Sequence, residues 1–588
     1  MGHAENGFNA RTGVLLAAAV ALVGGFLFGV PSARAAETLE GIHKIRHVVM
    51  IMQENKSYDA YFGTFPGGND IPASACIPDP VHGGCVKPYH ASNESPEGGP
   101  HGTEAAVADI DGGKMDGFLA QSEEKHGCTQ TGGCGKCKKK KKKDNTECAK
   151  EVVSYRDARD IPNYWSYAHN FALQDDMFES VASWSMPEHL ALVSGWSAFC
   201  TRKSPENENP FACESSLNPS TPSKFWSSPL EEAKDTRYPW TDLTYLMEKG
   251  GVSWRYYIHK GVEPDCENDE TISCEQVNQN AKTPGIWNPL YDFTDVKADN
   301  QTGDIQSLPS FYEAVGAKSE CGLPNVSWVI PSVEVSEHPP GTIPNGQAYV
   351  TTLINTIMRS PCWSSTAVFL SWDDWGGYYD HVVPPKIDQN GYGLRVPGLV
   401  ISPYARAGYV DHQQLSHDAY LKFIEDDFLG GQRLNPKTDG RPDPRPDVRE
   451  EAPGLGSLAA DFNFEQAPRQ PLLLSPRPSP GSASAAPGSQ QPPALETDTA
   501  SSVGGGKAQL HATVDPDGGN VTECRFEYGT TTSYGSSAPC SSSPGAGTEP
   551  VAVQANLSGL ASGNTYHFRI DAKNAGGAAT GPDLTLSD

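Results

Sequence analysis

At 588 residues the chain is long enough for more than one domain, each with a sizeable core. A formal net charge of −27 argues against general binding to nucleic acid or to an anionic membrane through the whole surface, and suits a self-repelling extracellular protein. The basic departure is Lys136 with Lys138 to Lys143, a local run whose readings are a solvated loop or a lure for anionic lipid or phosphate-rich substrate.

Taken in chain order, residues 1–35 have the pattern of a signal peptide. Arg11 precedes an apolar stretch at 14–30, and Ala33-Arg34-Ala35 is a small-x-small cleavage site. At 17 residues the stretch is marginal for a membrane span, which leaves an uncleaved anchor as the alternative. No Arg-Arg pair precedes the stretch, so the route is general secretion and the expected location is secreted or cell-surface. Fourteen cysteines in an exported chain predict disulfides, with Cys76/Cys85, Cys200/Cys213, Cys266/Cys274 and Cys524/Cys540 as close pairs. Cys134 and Cys137, with Cys128 and Cys148 nearby, have zinc as the alternative.

Residues 41–465 alternate strand-like and helix-like stretches. Strands are predicted at 252–259, 326–330, 367–372 and 397–402, and helices at 347–359 and 419–428. The alternation predicts an α/β layered fold with a mostly parallel sheet. Within it, residues 66–150 lose periodicity and gain Gly, Cys and Lys, as expected of a long insertion of disulfide-held loops over the sheet's active edge. Residues 468–502 have the Pro, Ser, Ala and Gln content of a linker. From 503 to 588, alternating segments at 507–514, 523–528, 551–557 and 565–573 predict a small β-sandwich.

Two apolar runs end in oxygen-bearing pairs. The run from His47 to Gln53 stops at Glu54-Asn55, and the run from Thr366 to Trp372 stops at Asp373-Asp374. Continuous apolar runs of this length read as strands of a parallel sheet, and ligands bind outside the carboxyl ends of such strands. Three carboxylates and an amide carbonyl make a hard-oxygen site for one divalent metal ion, with Ca, Mg, Mn and Zn all compatible. The alternative for each residue alone is a strand-end cap or a surface acid. Ser185 precedes Met186-Pro187-Glu188-His189, and Pro187 suits a first helical turn. A serine there meets the positive end of a helix dipole and, beside a cation, becomes a nucleophile candidate, with simple helix capping as the alternative.

Residues 45–63, with Glu54-Asn55-Lys56-Ser57-Tyr58-Asp59, resemble the opening block of the bacterial phosphoesterase family, which contains phospholipases C and related acid phosphatases. The resemblance continues at His338-Pro339-Pro340, at 371–382, which contains Ser371-Trp372-Asp373-Asp374-Trp375-Gly376-Gly377 and Asp380-His381-Val382, and at 395–403, which opens Arg395-Val396-Pro397-Gly398. It implies an alkaline-phosphatase-like α/β/α sandwich and metal-dependent attack on phosphate esters. Carried over by position, Glu54, Asn55, Asp373 and Asp374 bind the metal and Ser185 forms a phosphoseryl intermediate. His338 contacts the phosphoryl group, His101 matches a phosphate-contacting histidine, and His259 is a further candidate. Asp380-His381 is a match whose role is structural, an aspartate orienting a histidine.

Two positions depart from the family pattern. Asp374 stands where many of the phospholipases have Glu, and Glu188 where the phosphatases often have Asn. This leaves Glu188 and His189 without an assigned role, helix packing being one reading for His189. The C-terminal segment resembles fibronectin type III-like modules of secreted bacterial proteins, as a spacer or adhesive unit. The expected substrate is a phosphate ester, possibly a phospholipid with transient membrane contact, and no nucleic acid. Serine rather than threonine at position 185 leans toward the phosphatase-like branch. The alternative function is a secreted binding or adhesion protein with a degenerate phosphoesterase domain.

Overall fold

The computed structural model describes residues 40–130, 133–136, 147–202, 211–217, 238–263, 277–317, 320–441, 443–479, 481, 493–516, 520–545, 550–574 and 577–587. The predicted signal peptide, Lys138 to Lys143, Cys137 and the predicted Cys266/Cys274 pair lie outside these residues.

Eight strands form the central sheet: β1 His47–Gln53, β2 Ala172–Gln174, β3 Trp254–Ile258, β4 Ile305–Ser307, β5 Val326–Ile330, β6 Thr366–Trp372, β7 Gly398–Ile401 and β8 Tyr409–Asp411. Their order is β4-β3-β5-β1-β6-β7-β2-β8. Only β7 runs antiparallel to its neighbours in this sheet; the other pairings are parallel. The fold is therefore mixed α/β with a large, mostly parallel sheet. Every residue of β1 and of β6 is buried, which is why both are continuous apolar runs instead of alternating ones. Their register pairs His47 with Thr366 and Gln53 with Trp372, so Glu54 and Asp373 leave adjacent strands at one level.

Four helices matter for the site: α1 Tyr58–Phe62, α2 Ser185–Ser194, α3 Ile343–Met358 and α4 Asp418–Phe428. α3 starts ahead of the predicted 347 because Thr342 accepts a hydrogen bond from the Asn345 amide and a proline opens the first turn. Its buried Val350, Leu353, Ile354 and Ile357 fall at three- and four-residue spacing. In α4, Tyr420 stacks on Phe369 of β6 at 5.1 Å between ring centroids.

Two expectations are corrected. The 66–150 insertion is not all loop: it folds helices at Thr103–Ile110 and Phe118–His126. Their Ala106, Phe118 and Leu119 pack with Val152, Val153 and Trp375 in a satellite core, where apolar residues spread thinly between glycines find partners outside the insertion. The 468–502 linker is also shorter than its composition indicates. At one end Trp363 donates from Nε1 to Arg469 O (2.8 Å), and Asn355 donates to Leu474 O (2.7 Å). At the other end a strand at Ala494–Gly504 pairs with Lys507–Asp515. Side chains of the body meet backbone carbonyls of the proline-rich stretch, a kind of docking that leaves no periodicity to read.

The C-terminal strands make two antiparallel sheets. One holds Ala494–Gly504, Lys507–Asp515 and Val551–Ser558; the other is built around Glu523–Gly529 and Thr565–Asn574. Leu510, Val514, Phe526, Val553, Phe568 and Ile570 belong to one apolar cluster of their own.

Cys76–Cys85, Cys200–Cys213 and Cys524–Cys540 are bonded as expected, joined by Cys128–Cys134 and Cys321–Cys362. With Cys134 bonded to Cys128 and Cys148 also in a disulfide, these sulfurs do not form the zinc alternative. Among the described residues no helix is long and apolar enough to cross a membrane.

Candidate active site

The ends of β1 and β6 and the start of α2 bring the sequence-predicted groups into contact. Glu54, Asn55, Ser185, His189, Asp373 and Asp374 are all buried. Asn55 has a left-handed backbone (φ +62°), a conformation that asparagine adopts more readily than most residues. Its amide N–H donates to Asp373 Oδ1 (3.1 Å) and its Nδ2 donates to Asp374 Oδ1 (2.8 Å). Ser185 Oγ donates to Glu54 Oε2 (3.1 Å) and lies 3.3 Å from Asp374 Oδ2. The capping reading of Ser185 does not describe this geometry. The N-cap of α2 is Trp184, no side chain caps the helix, and Ser185 is the first helical residue.

His189 is the residue that sequence reasoning left open. It lies one turn along α2 from Ser185, on the same face, and its Nε2 is 3.5 Å from Glu54 Oε1 and 3.8 Å from Asp373 Oδ2. The four-residue spacing of Ser185 and His189 was the available signal. Glu188 points elsewhere. Its carboxylate accepts the Ser180 and Val181 amides (3.1 Å each) and meets His417 Nδ1 at 2.5 Å, while His417 Nε2 meets Ser371 Oγ at 2.9 Å. Glu188 thus fastens α2 to the sheet.

The His101 loop is brought in by glycine. Gly376 (φ +61°) passes so close to Asn55 that a Cβ there would stand 2.6 Å from the Asn55 carbonyl oxygen, and the Gly99 amide donates to Gly376 O (2.9 Å). His101 Nε2 then accepts from Asn55 Nδ2 (3.1 Å) while Nδ1 donates to Gly99 O (3.1 Å), a pairing that assigns the proton to Nδ1. His338 packs edge-on to His101 with 5.9 Å between centroids, and its Nδ1 donates to Pro339 O (2.7 Å). Trp287 stacks on His189 and meets His338 edge-on, each at 6.4 Å. His259 joins none of these contacts; its ring packs against Tyr349.

The surrounding charges are buried as well. Burial, reinforced by the Asp374 charge, pushes the Glu179 carboxyl well above the usual carboxylate range. Its Oε1 lies 2.8 Å from the Trp375 amide. Lys56 has its pKa lowered to about 8 by burial, against the opposing pull of Glu337. Below the site, Asp380 does not orient His381 as expected. Asp380 receives Arg395 Nε (2.9 Å), and Asp59 is the partner of His381 Nδ1 (2.8 Å).

The donor set fits a divalent cation. Three carboxylates and an imidazole converge, Glu54, His189 and Asp373 within metal-binding reach of one another. Asn55 Oδ1 and Asp373 Oδ2 are buried acceptors with no hydrogen-bond donor among the described residues. Such atoms are costly to bury unless something positive meets them.

Clustered carboxylates, a serine at the start of α2 and nearby histidines are groups of the kind that phosphoryl transfer uses. The Phosphoesterase family model matches residues 45–429, and the chain belongs to that family, whose members are hydrolases acting on phosphoric ester bonds. The chain is similar to a non-hemolytic phospholipase C of Burkholderia pseudomallei, 25% identical over 445 residues, covering 66% of this chain and 55% of that protein. It is also 25% identical over 486 residues to phospholipase C B of Mycobacterium tuberculosis, covering 74% of this chain and 81% of that one. The chain thus spans about half the length of the first of these relatives.

Proposed function

We propose that this chain is a secreted, metal-dependent phosphoesterase that cleaves phosphate esters through Ser185, with an alkaline-phosphatase-like catalytic domain and a fibronectin type III-like C-terminal module. The contact of Ser185 Oγ with Glu54 Oε2 and Asp374 Oδ2 carries the reading, because it aims a helix-start hydroxyl into the cation-binding cluster. Glu54, Asn55, Asp373 and Asp374 would hold the ion, with His189 in reach. When bound, the ion would favour the serine alkoxide and offset charge on the phosphoryl oxygens.

Ser185 Oγ attacks phosphorus, and its hydroxyl proton has acceptors in place at the two carboxylates. The ester P–O bond breaks as the Ser185–phosphorus bond forms. His338 gives a proton from Nε2 to the leaving oxygen. The same nitrogen then takes a proton from the water that hydrolyses phosphoserine, while Asn55 holds the His101 ring at the phosphoryl pocket. Between the two branches, the relatives' names favour phospholipase C over acid phosphatase. The disulfides among the described residues support export.

The test compares phosphatidylcholine, sphingomyelin and p-nitrophenyl phosphate with one preparation, with and without a chelator. Phosphocholine release that exceeds monoester hydrolysis, stops with chelator and returns with a divalent ion is expected. Hydrolysis that survives exhaustive chelation overturns the metal assignment, and no hydrolysis of any ester overturns the enzyme reading.

A further inference from the structure

Lys56 follows the metal-binding pair directly, yet its side chain is only 1% exposed. A buried ammonium demands partners, and Lys56 has two backbone carbonyls: Nζ donates to Asn55 O (2.8 Å) and to Glu337 O (3.3 Å). The faces of Tyr378 and Tyr61 lie 5.1 and 5.9 Å from Nζ at their ring centroids.

The two carbonyls belong to Asn55, two residues past β1, and to Glu337, in the loop that follows the neighbouring strand β5; both have left-handed backbones, at φ +62° and φ +73°. Glutamate rarely takes that conformation, and it persists only where the surroundings enforce it. Glu337 is enforced twice. Its carboxylate accepts from Tyr61 (2.5 Å), Tyr164 (2.7 Å) and Trp372 Nε1 (3.2 Å), and its carbonyl is held by Lys56. Next to it stands His338, and next to Lys56 stands Asn55. The Glu54 amide donates to Ser336 O (3.0 Å), a second tie between the end of β1 and the loop after β5.

We propose that Lys56 is a positioning residue: its ammonium clamps the left-handed turns after β1 and β5, setting the Asn55 amide and the His338 ring at their working separation. The inference rests on the proposed hydrolytic reading of the site. An interior ammonium that is not paired with a carboxylate keeps its hydrogens for carbonyl oxygens, so it fixes backbone where an ion pair would fix side chains. A methionine in its place fills the same volume and donates nothing.

The experiment uses the full mature chain, with K56M, K56R, H338A and K56M/H338A compared with wild type on bis(p-nitrophenyl) phosphate, alongside Mn²⁺ binding to the chelator-stripped proteins. K56M is expected to lower kcat by about 100-fold, the scale of an ångström-level misplacement, while KM stays within a few-fold. K56R, which keeps the donors, recovers most of that loss. Mn²⁺ binding weakens in K56M and not in H338A, because the clamp also holds Asn55. K56M/H338A loses less than the product of the two single losses. Wild-type kcat and Mn²⁺ affinity in K56M overturn the proposal, as does full additivity with H338A. If K56M does not fold, K56Q replaces it in every comparison, and wild-type kcat and Mn²⁺ affinity there overturn the proposal in the same way. A wild-type chain that hydrolyses nothing refutes the hydrolytic reading instead, while Mn²⁺ binding still reports on the clamp.

Discussion

Replacing Ser185 by alanine is expected to lower turnover of any phosphate ester by about 10⁴- to 10⁶-fold, the range seen when a nucleophile is deleted from a site that acts as a unit. The size of the effect separates the two roles this serine could have. A helix cap contributes on the order of 1 kcal/mol to stability and nothing specific to rate. Here the cap position is Trp184, and the Ser185 hydroxyl is committed to Glu54 and Asp374. S185A should therefore keep its fold, with Tm within a few degrees of wild type. Acid quenching of wild type during turnover should trap phosphoserine at position 185, and S185A should trap none. A loss of less than tenfold, or phosphoserine elsewhere, would remove Ser185 from the nucleophile role and leave it as a hydrogen-bond donor to the acids.

How legible such a site is depends on how local its causes are. β1 and β6 could be read because burial on both faces forces continuous apolar runs, and Glu54 and Asp373 mark where that demand ends. β2, β4 and β8 hold three residues each, too few for any periodicity to stand out. His189 was half legible: its distance from Ser185 along the helix is local, but its approach to Glu54 and Asp373 depends on how α2 meets the sheet. Glu188 was not legible, because its partner His417 lies 229 residues away. Lys56 was hidden for a related reason. A lysine beside polar residues reads as solvated, and only the packing of Tyr61 and Tyr378 shows that it is not.

The second large effect lies beneath the site, and it is on stability. Arg395 is fully buried, with Nε on Asp380 Oδ1 (2.9 Å), Nη2 on Asp59 Oδ1 (2.9 Å), Nη1 on Asp175 O (2.7 Å) and its guanidinium over the Tyr58 ring at 4.6 Å. Arg395→Met removes the cation and leaves two buried carboxylates facing each other. Breaking a buried ion pair from one side typically costs about 3–5 kcal/mol. The pH dependence follows from Asp59. Burial and the Asp380 charge already push its carboxyl up to about 6, with His381 and Arg395 opposing them. Without Arg395 the folded-state pKa rises further. An acid with a folded pKa above its unfolded value of about 3.9 holds protons that the unfolded chain releases, so stability falls as pH rises through that interval. Urea unfolding of R395M should therefore show its smallest deficit against wild type near pH 4.5 and its largest above pH 7. A deficit below about 1 kcal/mol at pH 7.5, or one that shrinks as pH rises, would show that Asp59 and Asp380 find another counter-charge. The same ties hold the start of α1, since the Tyr58 amide donates to Arg395 O (3.0 Å), so a weakened Arg395 also loosens the turn that carries Asn55 and Lys56.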